Sequence, residues 1–310
     1  MNLKMKIIGI LILFSGALAL SYTAKEESRI KADSASEKTS TSQFSDFWDK
    51  GLAEITTYEL QQERYGEIHQ GTANTIFVTE PFSKSKQVKL DNASAYPKDN
   101  LPVLKMNFAR KFYTGVYPYS TMLSIFTAQD LNSFPHSPKA VFSAQEWCGQ
   151  SFAQLNLAEG AYNMSQFSYF ESHGDKSTKL DKTIIEDQIW STIRINPELL
   201  PIGNHRVIPS LSYSQLCHKS PEAIIAVGQL VNNGKMSTYS LHYPSFERTL
   251  KIQFETEFPH RIEKWEEEAY SIGGVRKKMK TTATVKARKM LDYWNKHGLK
   301  DAPLRAELGF

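Results

Sequence analysis

The chain has 310 residues, of which 41% are hydrophobic and 23% are charged, and its formal net charge is +4. These proportions are ordinary for a globular protein and exclude a largely disordered chain. The charge is too small for a dedicated nucleic-acid binder, so we expect no nucleic-acid partner.

The N-terminus has the pattern of a secretory signal. Lys4 and Lys6 form a positive start, and residues 7–20 are uncharged and mostly apolar. Small residues around Ala19 suit a signal peptidase, and the apolar run is short for a membrane span. We therefore expect a signal peptide over residues 1–21 and an exported protein, periplasmic or associated with the cell envelope. An uncleaved membrane anchor is the alternative.

The segment after the signal has the composition of a flexible tether. Residues 22–42 are mostly Lys, Glu, Ser, Thr and Ala, without an apolar period. No later run is long and apolar enough to cross a bilayer, so we expect no transmembrane span in the mature chain. Residues 43–310 are predicted to form a single β-rich domain.

The stretch from Val141 to Phe170 predicts two long strands joined by a turn at Glu159-Gly160. Gly149 interrupts the first strand, and a glycine inside a strand predicts a bulge. If the bulge adds one residue to the strand there, Glu146 is the single charged residue on a small apolar face. That face comprises Ala140, Phe142, Ala144, Glu146, Cys148, Ser151, Ala153, Leu155 and Leu157.

The rest of the chain also reads mainly as strands. Residues 52–65 predict a strand, with Gly66 and Gly71 around the turn that follows it. Residues 207–217 predict another strand, and Asn232-Asn-Gly-Lys235 is the strongest hairpin signal. A short helix is predicted around Phe44, Phe47 and Trp48, and a second over residues 289–297.

Residues 181–195 interrupt the β pattern. Ile185, Ile189 and Ile193 recur at helical spacing, and Thr183 with Glu186 has the spacing of a capping box. An apolar stripe this wide must be buried. We therefore predict an α+β, mostly antiparallel fold: a curved sheet or half-barrel with one amphipathic helix packed on its concave face. A two-sheet β-sandwich is the alternative.

No motif in the chain defines a reaction. A nucleophile elbow, a Walker loop and a dinucleotide-binding glycine pattern are all missing from the sequence, and the eight histidines are scattered. We therefore predict no catalytic residues, no metal site and no cofactor. Cys148 and Cys217 both fall in predicted strands; they form a disulfide or are two small buried thiols.

Glu146 has the clearest functional signal. If its face points inward, its carboxylate needs a donor such as Arg64, Arg194 or Arg206. We favour a structural ion pair or an exposed strand glutamate, and a functional carboxylate in a cavity is the alternative. The candidate ligand-binding residues are Glu146, Trp147, Arg64, Tyr117 and Tyr119.

One basic run is prominent near the C-terminus. It extends from Arg276 to Lys289 and follows the acidic residues between Glu263 and Glu268. Complementary charges of this kind predict two adjacent strands, and contact with anionic lipid is the alternative.

Several motifs after the tether carry a family resemblance. They are Phe47-Trp48, Gly51-x-Ala53-Glu54-Ile55, Arg64-Tyr65-Gly66, Ile76-Phe77-Val78-Thr79-Glu80, Tyr117-Pro-Tyr-Ser120, Gln145-Glu-Trp-Cys-Gly-Gln150 and Arg194-Ile-Asn-Pro197. Through them the chain resembles a family of Gram-negative envelope proteins and lipoproteins of uncharacterised function. The family's lipid-anchoring cysteine is absent from this chain.

Members of that family are often called septum formation inhibitor Maf, a label that does not fit. True Maf proteins are cytoplasmic nucleotide pyrophosphatases with an N-terminal Ser-x-Ser-Pro-Arg-Arg motif. Here Ser137-Pro138 is followed by Lys139, and Ser220-Pro221 by Glu222. The resemblance implies an envelope protein and no known chemistry.

Three functions are compatible with the sequence. The leading hypothesis is a non-enzymatic envelope protein that binds a lipid, a hydrophobic ligand or an envelope component. The alternatives are a hydrolase acting on envelope material, with Glu146 as acid or base, and a scaffold that pairs with an envelope protein. A cavity lined by Tyr and Phe would favour the first, and two carboxylates facing each other the second.

The export hypothesis has a direct test. We expect N-terminal sequencing of the protein from fractionated cells to give a mature chain that begins just after the apolar run over residues 7–20. Recovery of the full-length chain from the cytosol would contradict it.

Overall fold

The computed structural model describes residues 42–171, 173–271 and 276–310, so the predicted signal peptide and nearly all of the tether lie outside the described residues. The chain divides after Lys50 into two compact units. The first contains helix α1, over residues 42–48, in which the rings of Phe47 and Trp48 pack edge to face at 4.9 Å. The short helix predicted there is confirmed.

In its described residues, the second unit is built on one open sheet of 15 strands. Along the sheet the order is β8-β7-β6-β5-β4-β3-β2-β1-β15-β14-β13-β12-β11-β10-β9, so β1 and β15 meet in the middle. The pairs are antiparallel except for β9 with β10. The strands are β1 Ala53–Arg64, β2 Glu67–Ser83, β3 Asn100–Thr114, β4 Tyr117–Ala128, β5 Lys139–Glu146, β6 Gly149–Ala158, β7 Ala161–Ser168, β8 Lys176–Asp181, β9 Ile184–Ile185, β10 Gly203–Ile208, β11 Ile224–Asn233, β12 Met236–Tyr243, β13 Arg248–Glu255, β14 Ile262–Tyr270 and β15 Lys278–Leu291.

The sheet curves around a short helical segment. A 3-10 turn over Glu186–Gln188 leads into α2, Ile189–Ile195, and α3 follows at Leu211–Leu216. Trp190 of α2 packs on Phe108 of β3 and on Trp265 of β14, with ring centroids 5.1 and 5.9 Å apart. Because three strands separate β3 from β14, one ring can touch both only if the sheet is curved. The predicted curved sheet with a helix on its concave face is confirmed, and the sandwich alternative is wrong.

Two buried ion pairs hold this helical segment. Arg194 of α2 binds Glu54 of β1 through both terminal nitrogens, and its Nη2 lies 2.9 Å from Oε2. Glu186 accepts two hydrogen bonds of 2.6 Å from Arg248 of β13. All four side chains are at most 2% exposed, so each charge depends on its partner. The segment is thereby tied to both halves of the sheet.

The C-terminus covers part of the sheet. Helix α4, Leu304–Glu307, is followed by Leu308, which packs with Ile55 of β1 and Leu291 of β15. This contact covers Ile55 and so contributes to the burial of β1, whose first six residues are all buried although a strand turns alternate side chains to opposite sides.

The bulge predicted at Gly149 is wrong, because the chain makes a hairpin there. Glu146 of β5 pairs with Gly149 of β6, and Trp147 and Cys148 form the turn. Neither turn residue has a positive φ, so no glycine or asparagine signals the turn. The turn at Glu159-Gly160 is confirmed, with φ of 52° and 79°.

The helix predicted over residues 181–195 begins later than the sequence indicates. Ile184 and Ile185 form β9, and the helical conformation starts at Glu186. The predicted capping box does not form: Thr183 donates instead to the carbonyl of Arg206, and Glu186 pairs with Arg248. An ion pair distant in sequence therefore overrides the local cap.

Other boundaries differ for local reasons. The strand predicted over residues 207–217 ends at Ile208, and α3 then begins with Ser210 as its N-cap. Gly71 lies inside β2 rather than in a turn. A glycine is needed at this position because a Cβ would sit 2.4 Å from the carbonyl oxygen of Lys111. The helix predicted over residues 289–297 is replaced by the end of β15 and a 3-10 turn, and the Asn232–Lys235 hairpin is confirmed.

The buried helix stripe gives a stability prediction. Ile189 is 1% exposed, so Ile189→Ala should leave a cavity and reduce the free energy of unfolding by about 2–5 kcal/mol. Ile225, which is 50% exposed, is the matched control, and Ile225→Ala should stay within about 0.5 kcal/mol. Urea denaturation measures both. Equal losses in the two variants would contradict the packing of α2 inside the sheet.

Candidate functional site

An open cleft lies between α3 and the ends of four strands. The strands are β1, β3, β14 and β15, which turn inward-facing side chains toward α3. The N-terminus of α3 is held in place by acidic groups. Glu186 accepts from the N–H of Ser210 at 3.3 Å, and Asp187 accepts from that of Leu211 at 3.0 Å.

The cleft combines apolar walls with polar groups that lack partners. Phe112, Leu216 and Met279 line it as apolar surface. Gln62 Oε1 and Arg64 Nε are buried atoms in the same lining, and neither has a hydrogen-bond partner among the described residues. Buried polar atoms are nearly always paired. This cleft therefore offers free hydrogen-bonding capacity beside an apolar surface.

A network of buried charges lies behind the cleft. Arg248 donates from Nε to Glu267 at 2.6 Å and from its other two nitrogens to Glu186. Tyr243 adds a hydrogen bond of 2.7 Å to Glu186. Burial opposes ionisation of Glu267, but the charges of Arg248 and Arg110 outweigh it and hold the pKa of Glu267 below its usual value. Glu267 is therefore a carboxylate, and it also lines the cleft.

Asp187 is the least satisfied member of this network. Its Oδ2 caps α3, whereas Oδ1 is buried without a partner among the residues that the structure describes. Burial, reinforced by the charge of Glu186, raises the pKa of Asp187 to about 6. Between about pH 4 and about pH 6, Asp187 in the folded chain therefore keeps a proton that an unfolded aspartate has already released.

The five candidate residues from the sequence lie together at the same end of the sheet. The Tyr117 hydroxyl donates to Glu146 at 3.2 Å, and the Tyr117 ring lies 5.3 Å from Tyr119 and 6.0 Å from Trp147. The Arg64 guanidinium stacks 5.3 Å from the Tyr119 ring. Arg64 also lines the cleft and donates to the carbonyl of Leu216 at 2.8 Å. It is the link between this cluster and the cleft.

The cluster continues outward as a band of exposed aromatic side chains. We call Tyr65, Tyr113, Trp147 and Tyr169 the aromatic rim; they are between 47% and 71% exposed. The Tyr65 hydroxyl lies 2.6 Å from that of Tyr119. Tyr169 packs so closely on Gly149 that a Cβ there would sit 2.7 Å from its side chain. The glycine is thus needed for this contact rather than for a bulge.

Glu146 does not take the arginine partners considered from the sequence. It is half-buried at the rim, and its described partner is Tyr117. Arg194 binds Glu54, and Arg206 binds Asp181 at 2.8 Å on the surface. Arg194 lies deep inside the curve of the sheet and Arg206 lies at its edge. Glu146 lies beside a turn, so neither arginine is its partner.

Sequence reasoning missed the cleft residues on β3, β14 and α3. Arg110 lies between Phe108 and Phe112 on the inward face of β3, and Glu267 follows Trp265 on that of β14. A charge at an inward position of an alternating strand is the signal that would have identified both. The wall formed by α3 had no such signal, since its residues read as a strand.

The charge runs near the C-terminus pair with each other, as predicted. Lys280 lies 3.2 Å from Glu266, and Lys278 lies 3.4 Å from Glu268 across β14 and β15. Arg288 binds Glu263 at 2.7 Å. Complementary charges on adjacent strands are therefore confirmed.

Both cysteines are free thiols. Cys148 is exposed in the turn between β5 and β6, and Cys217 follows α3 and lines the cleft. The prediction that both cysteines lie in strands is therefore wrong. Burial, with a further contribution from the charge of Glu267, raises the pKa of Cys217 to about 12. At neutral pH it is a thiol and not a nucleophilic thiolate.

No protein-family model, curated protein or solved structure matches the chain. Within the described ranges, no helix has the length and apolar character needed to cross a membrane. Those ranges also hold no group of three or more His, Cys, Asp or Glu side chains arranged for a metal ion.

The raised pKa of Asp187 gives a pH prediction. Because the folded chain binds this proton more tightly, Asp187 should reduce stability as the pH rises from about 4 to about 6, by on the order of 3 kcal/mol. Asp187→Asn removes the titration, so stability should fall less across this window than in the wild type. Thermal melts at several pH values measure the difference.

Asp91 is exposed and provides the matched control for this measurement. Asp91→Asn should keep the wild-type pH dependence. If the wild type and Asp187→Asn lose the same stability across this pH window, Asp187 has an ordinary pKa and the prediction is wrong.

Proposed function

We propose that this protein is a non-enzymatic, exported envelope protein that binds a hydrophobic or amphipathic ligand in the cleft beside α3. The observation that carries the proposal is the pairing of apolar walls with the unpartnered atoms Gln62 Oε1 and Arg64 Nε. An unpaired buried polar group costs about 1–3 kcal/mol, and a ligand with a polar group relieves that cost. The ligand's apolar part would replace water on Leu216 and Met279.

The lining of the cleft supports the same proposal. Small-molecule sites place a few polar groups within a mostly apolar lining. The lining of this cleft combines apolar and polar side chains in that way. The interior deeper in the sheet is filled by α2, so this end is where a ligand can enter.

The aromatic rim supports an envelope role. Tyrosine and tryptophan present an apolar ring and a polar tip, a combination that suits the boundary between lipid and water. Arg64 connects the rim to the cleft through its stacking on Tyr65 and Tyr119. The signal-like N-terminus and the resemblance to envelope proteins point to the same compartment.

A second candidate is a hydrolase acting on envelope material. Two carboxylates, Glu63 and Glu267, line the cleft. Burial, together with the charge of Glu267, raises the pKa of Glu63, whereas that of Glu267 is lowered. Carboxyl groups with pKa values shifted in opposite directions suit an acid and a base. Glu146, the residue considered from the sequence for this role, lies outside the cleft lining.

Cleft binding is tested with N-phenyl-1-naphthylamine, a neutral hydrophobic fluorophore. We expect saturable binding to the wild-type chain and displacement by twelve-carbon amphiphiles. Ala269→Trp, which places a large ring in the cleft, should reduce affinity at least about tenfold, because it fills the space that the probe needs. Fluorescence titration measures the affinity, and thermal melts establish that the variant is folded.

The control is Val116→Trp, at an exposed turn residue outside the cleft lining. It should leave affinity unchanged. Equal binding by all three chains would place the probe elsewhere and end the proposal. Release of product from a dodecanoyl ester by the wild type but not by Glu63→Gln would favour the hydrolase.

A further inference from the structure

Arg110 is a buried cation with free donors. It is 8% exposed, lies on the inward face of β3 and borders the cleft. Its guanidinium carbon sits 4.8 Å from the ring of Phe108 and 5.1 Å from that of Trp265. Among the described residues, none accepts a hydrogen bond from its guanidinium or forms an ion pair with it. A guanidinium has five N–H donors, so its hydrogen-bonding capacity is unused.

Two of the other buried arginines show what the fold does when a guanidinium serves structure alone. Arg194 and Arg248 each bind a carboxylate through two nitrogens. Arg248 also uses its Nε on Glu267. Arg194 and Arg248 thus have dedicated glutamates, whereas Arg110 lies against aromatic faces and borders the cleft.

We infer that Arg110 binds the anionic head group of the cleft ligand, a carboxylate or a phosphodiester. This inference rests on the proposed function and specifies its ligand. The planar fork of a guanidinium matches the two oxygens of such a group, and both bonds are charge-assisted. The ligand's apolar chain then lies along Phe112, Leu216 and Met279 toward the mouth.

The acidic neighbours of Arg110 restrict the charge of the head group. Glu267 and Glu63 line the same cleft, and each has an oxygen already engaged, with Arg248 and with the N–H of Gly66 respectively. A doubly charged phosphate monoester would be repelled by both carboxylates more strongly than a singly charged group. The site therefore selects monoanions, and a fatty acid or a phosphodiester lipid has the required chemistry.

Paired ligands that differ only in the head group test this inference. We expect dodecanoate and dodecanol each to displace N-phenyl-1-naphthylamine from the wild-type chain, and dodecanoate to bind at least about tenfold more tightly. Arg110→Met should remove this preference and leave the affinity for dodecanol within about twofold, while Arg110→Lys should retain part of it. Lys111→Met, at the exposed neighbouring residue on β3, should behave as the wild type.

The source of the anion is identified in the same assay. Tighter binding of lysophosphatidylglycerol than of dodecanoate would assign the site to a phosphodiester, and the reverse order to a carboxylate. Dodecyl phosphate, which carries a second charge, should bind more weakly than either.

The outcomes separate the two proposals. Equal affinity of the wild type for dodecanoate and dodecanol, or equal loss of both in Arg110→Met, overturns the head-group inference and leaves cleft binding intact. Failure of the wild type to bind any of these compounds overturns the proposed function itself. If Arg110→Met does not fold, as judged by circular dichroism, the wild-type preference and the Arg110→Lys variant decide.

Discussion

The structure depends on placing a charged helical segment inside a curved sheet. Fifteen strands present an inner face that has to be covered, and α2 covers it with Trp190 and its isoleucines. The same segment carries Arg194 and Glu186 into the interior, where an ionised group is tolerated only with a partner. Glu54 on β1 and Arg248 on β13 supply those partners. Curvature, helix position and ion pairing are therefore a single constraint.

That constraint also determines where a ligand can lie. Because α2 fills the middle of the sheet, space remains beside α3 at one end. Glu186 and Asp187 tie the start of α3 to the network behind the cleft, so the acidic pair that anchors the sheet also positions the cleft wall. The structural network and the proposed binding site share residues here, and Arg110 lies where the two meet.

The class of fold was predictable because its signals are local. Strand alternation and the Asn-Gly turn at 232–235 depend on neighbouring residues, and so does the isoleucine stripe of α2. The convergence of Arg64, Tyr117, Tyr119, Glu146 and Trp147 follows from topology, since successive hairpins place alternate turns at the same end of a sheet.

The features that escaped prediction depend on distant contacts. The Trp147-Cys148 turn needs no special φ, and Gly149 is required by Tyr169, which lies twenty residues away. Thr183 loses its capping role because Glu186 is taken by Arg248, 62 residues further along the chain. The cleft joins Arg64 to Leu216, and no periodicity in the sequence records that pairing.

The pairing of β1 with β15 has a consequence for how the chain folds. The first strand and the last are neighbours in the middle of the sheet, and their ladder runs from Ala53–Leu291 to Gln61–Thr282. Contacts this distant in sequence make folding slow, because loop closure has to precede them. While the chain is being synthesised, β1 through β8 can form a meander, but β1 keeps an unpaired edge of 12 residues until β15 arrives. Open strand edges recruit other strands, so the incomplete chain is more prone to aggregate than the finished sheet, whose edge strands β8 and β9 have only six and two residues.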